Sequence, residues 1–153
     1  MTPFWTHPQG ELWNLEALDF LRAQPDESVH CVVTSPPYFG LRKYGDEDGY
    51  IGLEPTLDEY IEKLVTVFTE VRRVLRKDGT LWLNMGDAYC SQGGERTYGS
   101  HDGETGRGSA PGPRIAVGGL KPKDLIGLPW RLAFALQADG WWLRSDIIWA
   151  KPN

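Results

Sequence analysis

The stretch Thr34-Ser35-Pro36-Pro37-Tyr38 sets a hydroxyl, two prolines and an aromatic ring in direct succession. Neither proline has a backbone N–H, and each fixes its own φ. The first also drives Ser35 into an extended conformation. The segment is therefore a rigid corner of polyproline-II type. The Ser35 hydroxyl and the carbonyls that the prolines keep out of a ladder are hydrogen-bond acceptors, and Tyr38 offers a ring face. That set suits a flat ring bearing an amino group, with its N–H bonds on the acceptors and its face on the tyrosine. Pro-Pro-Tyr also occurs in plain loops and in Pro-rich recognition segments, so the reading rests on what positions the corner.

A short β-branched run, Val29-His30-Cys31-Val32-Val33, precedes the corner and reads as a buried strand over 29–34. The corner then lies at a strand's C-terminal end, where open α/β sheets bind ligands. Upstream, residues 1–10 read as irregular, Glu11 to Asn14 as a short strand and Glu16 to Ala23 as a short helix. Gln24 to Ser28 reads as a turn. Downstream, Arg42, Lys43 and an acidic loop from Gly45 to Glu54 are expected to lie over the corner. A capping box, Thr56-Leu57-Asp58-Glu59, opens a long amphipathic helix with Leu57, Ile61, Leu64, Val65, Phe68, Val71, Val74 and Leu75 at helical spacing. Arg72, Arg73, Arg76 and Lys77 fill its expected last turn, where the helix dipole favours cations, and Gly79 is expected to end it.

Thr80 to Met85 reads as a second buried strand ending at Gly86-Asp87. Strand, helix and strand make a βαβ unit with parallel strands, which brings Asp87 and the corner to one edge. Residues 88–119 hold nine glycines and no apolar period, a loop too long for a passive connector. It contains no phosphate-binding G-x-x-x-x-G-K-[ST] pattern. Pro129 suits the first turn of a helix that closes at Gly140, and Trp141 to Ala150 reads as a third strand.

The 153 residues suffice for one domain with a core. No apolar run is long enough to span a membrane, and no secretory signal pattern opens the chain. Cys31 and Cys90 lack metal or redox spacing, and His7, His30 and His101 are scattered, so no metal site and a reduced cytoplasmic setting are expected. The net charge of −5 is uneven: residues 1–60 carry 3 basic against 11 acidic groups, and residues 61–153 carry 13 against 10. Any phosphate contact is expected from the second part.

With these pieces in place, the sequence resembles the DNA methyltransferases that act on an exocyclic amino group, N4 of cytosine or N6 of adenine. The match runs from about Leu12 to Asn153. Ser35-Pro36-Pro37-Tyr38 resembles the family's catalytic motif, an Asp, Asn or Ser followed by Pro-Pro and an aromatic residue. Leu12 to Val29, Gly79 to Asp87, and Gly140 through Lys151-Pro152-Asn153 resemble the blocks around it. The resemblance implies an α/β fold, part of a Rossmann-like S-adenosylmethionine-dependent methyltransferase fold with an incomplete sheet. It implies a single catalytic domain over 1–153, double-stranded DNA as partner and S-adenosylmethionine as cofactor.

Two departures stand out. The family's early Gly-Asp, whose acid contacts the cofactor, is matched here by Leu15-Glu16, so Glu16 is the cofactor-binding candidate. The family's glycine-rich cofactor motif occurs nowhere in the sequence. The resemblance also implies neighbouring strands that are not found here, and without them apolar strand edges would be open, which folded proteins avoid. The chain is therefore expected to be a truncated N-terminal catalytic half, completed by a C-terminal half or a second chain that supplies the cofactor motif.

The resemblance further implies that the base flips into the corner, where Ser35 and the Pro36 carbonyl accept from its amino group. Pro37 would hold the corner rigid and Tyr38 would stack. Asp87, Trp149 and Lys151 are candidates for the base pocket, with core packing the competing reading for Trp149 and a solvated end for Lys151. Methylation at cytosine C5 needs a cysteine nucleophile, usually after proline, and neither Cys31 nor Cys90 fits. Serine at the first motif position favours N4-cytosine over N6-adenine. The alternatives are a methyltransferase acting on an amide or amine of RNA or protein, and a non-catalytic fragment that completes another methyltransferase.

Overall fold

The first ten residues, expected to be irregular, instead begin a hairpin. Strand β1 (Trp5–His7) pairs antiparallel with β2 (Gly10–Leu12) around a turn at Pro8 and Gln9. The Trp5 and His7 rings stack at 5.4 Å, which fixes one face of the hairpin. Helix α1 (Ala17–Arg22) follows, with Glu16 as its extended N-cap. Then come β3 (Val29–Thr34), α2 (Leu57–Val74), β4 (Leu75–Leu83) and α3 (Leu128–Ala138). The computed structural model describes residues 2–40, 50–91 and 117–150. Of the expected features, Arg42, Lys43, most of the acidic loop, residues 92–116 of the glycine-rich stretch and Lys151 lie outside the described residues.

The chain divides into two compact units, Met1–Thr34 with Thr66–Leu83 and Ser35–Val65 with Asn84–Asn153. In the first, β3 and β4 form the expected parallel pair, with Cys31↔Thr80, Val32↔Leu81, Val33↔Trp82 and Thr34↔Leu83 in register. The C-terminal part of α2 brings buried Phe68, Val71 and Val74 to this unit. Arg73 works as a clasp. Its guanidinium donates to the carbonyls of Leu21 and Gln24 and to the carboxylates of Asp26 and Glu70. Its own carbonyl accepts from Glu27 N. The turn that aims β3 is thereby tied to α2, a more specific task than the dipole reading gave this residue.

The expected helix end at Gly79 moves back to Val74. Leu75 is buried and already pairs with Val29, and Arg76 to Gly79 bulge out before pairing resumes at Cys31↔Thr80. Gly79 is needed for closeness rather than for ending a helix. A Cβ there would stand 2.9 Å from the Arg76 carbonyl oxygen and 3.1 Å from that of His30.

The second unit packs Phe39, Leu57, Tyr60 and Leu64 into one buried set, and Ile126, Leu128, Leu132 and Leu136 into another along α3. Leu57, Tyr60 and Leu64 recur at the three- and four-residue spacing of one helix face. The expected cap is present: Thr56 Oγ1 accepts from Glu59 N at 3.2 Å. Residues 88–90 pair with 123–126 through Cys90 N to the Asp124 carbonyl, Lys123 N to the Cys90 carbonyl and Ile126 N to the Ala88 carbonyl. These bonds close the base of the glycine-rich stretch.

The third expected strand is absent. Residues 141–150 carry no ladder in the structure, and Trp142, Ile147, Ile148 and Trp149 are exposed. An apolar run becomes a strand only when a neighbour accepts its backbone bonds, and none of the described residues does so.

Candidate active site

The last register pair of the parallel ladder is Thr34↔Leu83. The next residue on each chain segment, Ser35 and Asn84, belongs to the second unit, and there the two side chains meet. Asn84 Nδ2 donates to Ser35 Oγ and to the Tyr38 hydroxyl, both at 3.3 Å. Ser35 Oγ and the Tyr38 hydroxyl are themselves 3.3 Å apart. One amide thus bridges the two hydroxyls of the corner. Ser35 and Asn84 are exposed and Tyr38 is half-buried, so the cluster faces solvent.

The corner is braced from behind. The buried Tyr60 hydroxyl donates to the Pro37 carbonyl at 2.7 Å, and its ring packs against Phe39 with centroids 5.4 Å apart. Burial, with Glu54 and Tyr38 nearby, raises the Tyr60 pKa well above the ordinary tyrosine range, so this hydroxyl stays a donor. Gly86 lies close against the Tyr38 ring, where a Cβ would stand 2.8 Å from Cε2. Gly52, at φ +102°, passes so close to the Tyr38 carbonyl oxygen that a Cβ would sit 2.9 Å from it. Gly52 is held in turn by Glu54, whose Oε2 accepts from Gly52 N at 2.8 Å and whose Oε1 pairs with Lys63 at 3.0 Å.

Asp87 stands near this cluster in sequence but spends its carboxylate elsewhere. Oδ1 accepts from Ala88 N at 2.8 Å and Leu128 N at 3.1 Å, and Oδ2 accepts from Gly127 N at 3.0 Å. Gly127, the N-cap of α3, has no side chain to bond the helix's first amides. Asp87 supplies that cap from 40 residues upstream, where the helix dipole favours a negative charge. Trp149 is 80% exposed, so neither the pocket nor the core reading finds it a partner among the described residues. Lys151 lies outside them.

Glu16 is not a cofactor cradle by itself. Its Oε2 accepts from Leu18 N at 3.2 Å, capping α1. S-adenosylmethionine needs acceptors for its ribose and partners for its amino-acid end. One exposed carboxylate, in a sequence without a glycine-rich turn, does not fit that need. The described residues contain no group of His, Cys, Asp and Glu able to hold a metal.

Asn84, Gly86 and Tyr60 are the site residues that sequence reasoning passed over. Asn84 had a signal, a polar residue at the end of the apolar run Leu81-Trp82-Leu83. Tyr60 also had one, since it falls on the stripe of Leu57 and Leu64.

The DNA methylase family that includes N6 and N4 enzymes matches residues 29–153, which takes in the corner, both parallel strands, α2 and α3. The chain belongs to this N6/N4 DNA methylase family. The family uses S-adenosylmethionine as methyl donor. The chain is 57% identical over 143 residues to the Type II methyltransferase M.XycI of Xanthomonas campestris pv. cyanopsidis, covering 93% of this chain and 46% of that protein. It is 55% identical to the Type II methyltransferase M.Cfr9I of Citrobacter freundii, with the same shares. It is 54% identical to the Type II methyltransferase M.SmaI of Serratia marcescens, over 90% of this chain and 46% of the relative. This methylase chain therefore spans about half the length of the curated relatives it matches. No helix among its described residues is long and apolar enough to cross a membrane.

Proposed function

We propose that this chain carries the base-acceptor half of a DNA methyltransferase that modifies the exocyclic amino group of a flipped base, cytosine N4 in preference to adenine N6. The observation that carries the reading is the Ser35–Tyr38–Asn84 cluster on the Pro-Pro corner. In this reading Ser35 donates its proton to the Tyr38 hydroxyl and accepts from Asn84, so Oγ keeps one lone pair for the substrate. The target amino group donates to Ser35 Oγ and to the Pro36 carbonyl, which draws its lone pair out of conjugation with the ring. Tyr38 stacks on the base, its ring held close against Gly86. S-adenosylmethionine, when bound to the complete enzyme, supplies an electrophilic methyl group. The contribution of this chain is to hold and aim the amino nitrogen, the kind of positioning that dominates such transfers.

In this reading residues 1–153 form a single methyltransferase catalytic domain of Rossmann-like type, and Asp87 shapes the base pocket through α3. Glu16 is the cofactor-binding candidate on this chain, insufficient without groups from elsewhere, and Trp149 and Lys151 are the further base-pocket candidates. The cofactor motif and further strands come from the remaining length of the relatives, on the same chain or a second one. Three facts support this. The chain covers 46% of M.XycI and M.Cfr9I. The paired Val33 and Trp82 leave one sheet face exposed. The apolar 141–150 segment lacks a ladder.

The deciding experiment is mass spectrometry of nucleosides from duplex DNA treated with this chain plus the remaining half. N4-methylcytosine is the expected product. N6-methyladenine would reassign the base, and methylated RNA or protein without methylated DNA would end the reading. In that complete enzyme, Ser35→Ala lowers kcat by about 10²-fold with little change in cofactor affinity.

A further inference from the structure

We infer that Tyr60 is a positioning residue for methyl transfer, aiming the Pro36 carbonyl by holding the carbonyl of Pro37. The inference rests on the function proposed above. Tyr60 is 0% exposed, and its hydroxyl reaches the Pro37 carbonyl at 2.7 Å from 23 residues away. Among the described residues, the hydroxyl also meets Met85 Sδ at 3.9 Å, a much weaker acceptor. The single O–H proton is therefore committed to Pro37.

The consequence follows from chain geometry. With φ fixed at both prolines, the corner has few ways to turn its carbonyls. In a polyproline-II segment, at three residues per turn, neighbouring carbonyls diverge by about 120°. Anchoring the Pro37 carbonyl inward on α2 turns the Pro36 carbonyl away from that helix. The brace is itself immobile. Tyr60 lies between buried Leu57 and Leu64 on the capped start of α2, and its ring packs on Phe39, two residues past the anchored carbonyl. The side of the corner that does no chemistry is thus fixed to a helix, leaving Ser35 Oγ and the Pro36 carbonyl as the pair a base meets.

The test uses the complete enzyme, this chain with the remaining half of its relatives' length. Tyr60→Phe removes only the hydroxyl and is expected to lower kcat about tenfold, the worth of one oriented hydrogen bond. KM for duplex DNA and affinity for S-adenosylmethionine stay within about twofold, as expected when the change affects the aim of the bound base and not the contacts that bind DNA or cofactor. Val74→Ala, fully buried at the far end of α2 from Tyr60, is the control: it lowers Tm at least as much and leaves kcat of the folded enzyme unchanged. Para-aminophenylalanine at position 60 keeps the ring and an N–H donor, and is expected to hold kcat within about threefold of wild type. Wild-type kcat in Tyr60→Phe, or a tenfold loss with para-aminophenylalanine, overturns the inference. Ser35→Ala measured in parallel separates the two readings. If it leaves turnover unchanged, the proposed function fails. If it slows turnover while Tyr60→Phe does not, only the role of Tyr60 fails.

Discussion

Asn84 donates to two hydroxyls from one amide nitrogen, and this decides what Ser35 can offer a substrate. A serine oxygen has two lone pairs and one proton. One lone pair goes to Asn84; when the Ser35 proton goes to the Tyr38 hydroxyl, the second lone pair is left to accept from a substrate, whereas a proton given by Tyr38 would leave only the Ser35 O–H as a donor. Asn84→Leu keeps the shape and removes both donors. Because Asn84 is exposed, this change is expected to alter Tm by no more than a degree or two. It should lower kcat of the complete enzyme about tenfold. The effect acts through Ser35, so it should shrink to within about twofold in a Ser35→Ala background. Steady-state kinetics of the four combinations checks this, and additive losses would exclude coupling. Asp87 calls for the opposite outcome. Removing its carboxylate leaves the amides of Ala88, Gly127 and Leu128 without their partner, at roughly 1–3 kcal/mol for a buried donor. Asp87→Ala should therefore lower Tm clearly in thermal melts followed by circular dichroism, with Asp87→Asn intermediate.

At the scale of elements, what the sequence made legible is what depends on near neighbours. The parallel pairing of β3 and β4 follows from two apolar runs separated by a capped amphipathic helix, and the cap bond is where the Thr56–Glu59 spacing places it. The boundary after Val74 was illegible because Leu75 satisfies the helical stripe and the ladder equally well, and only pairing with Val29 decides. The β1–β2 hairpin was hidden because its strands are three residues each and carry no alternation of burial. The corner itself was legible, but its supports were not: Tyr60, Gly86 and Asn84 reach it from 23 to 49 residues away. Within α2, Leu64→Ala should cost about 2–5 kcal/mol in chemical denaturation, as for a fully buried leucine. Tyr60 also sets an alkaline limit. Its pKa is raised in the fold, so the native state holds that proton more tightly than the unfolded chain. Its contribution is complete below the ordinary tyrosine pKa of about 10 and is lost as pH rises above it. Tyr60→Phe should lose less stability than wild type between about pH 10 and 11.5. Equal slopes would show that the hydroxyl titrates alike in the native and unfolded states.

For the whole molecule, the proposed function divides the acceptor and donor halves of the reaction along the sequence. The residues suited to holding an amino group gather on one corner, whereas among the described residues the cofactor candidate is one exposed carboxylate, half engaged in capping α1. That proposed division rests on the Ser-Pro-Pro-Tyr motif the sequence contains and the glycine-rich cofactor motif it lacks. The fate of residues 141–150 was not readable, because a strand requires a partner that local pattern cannot supply. Both facts lead to one prediction. Isothermal titration of S-adenosylmethionine into this chain alone should show weak or no binding, and tight binding would refute the division. Adding the remaining half of a relative's length should create a cofactor site and cover part of the apolar surface now open at Val33, Trp82, Ile147, Ile148 and Trp149. Burial of that surface has a thermodynamic signature, a negative heat-capacity change on association. Titrating one half with the other at several temperatures should reveal it, and Trp82→Lys, which puts a charge on the exposed sheet face, should weaken the association. If association occurs without a heat-capacity change, or Trp82→Lys leaves it untouched, the sheet face is not where the halves meet.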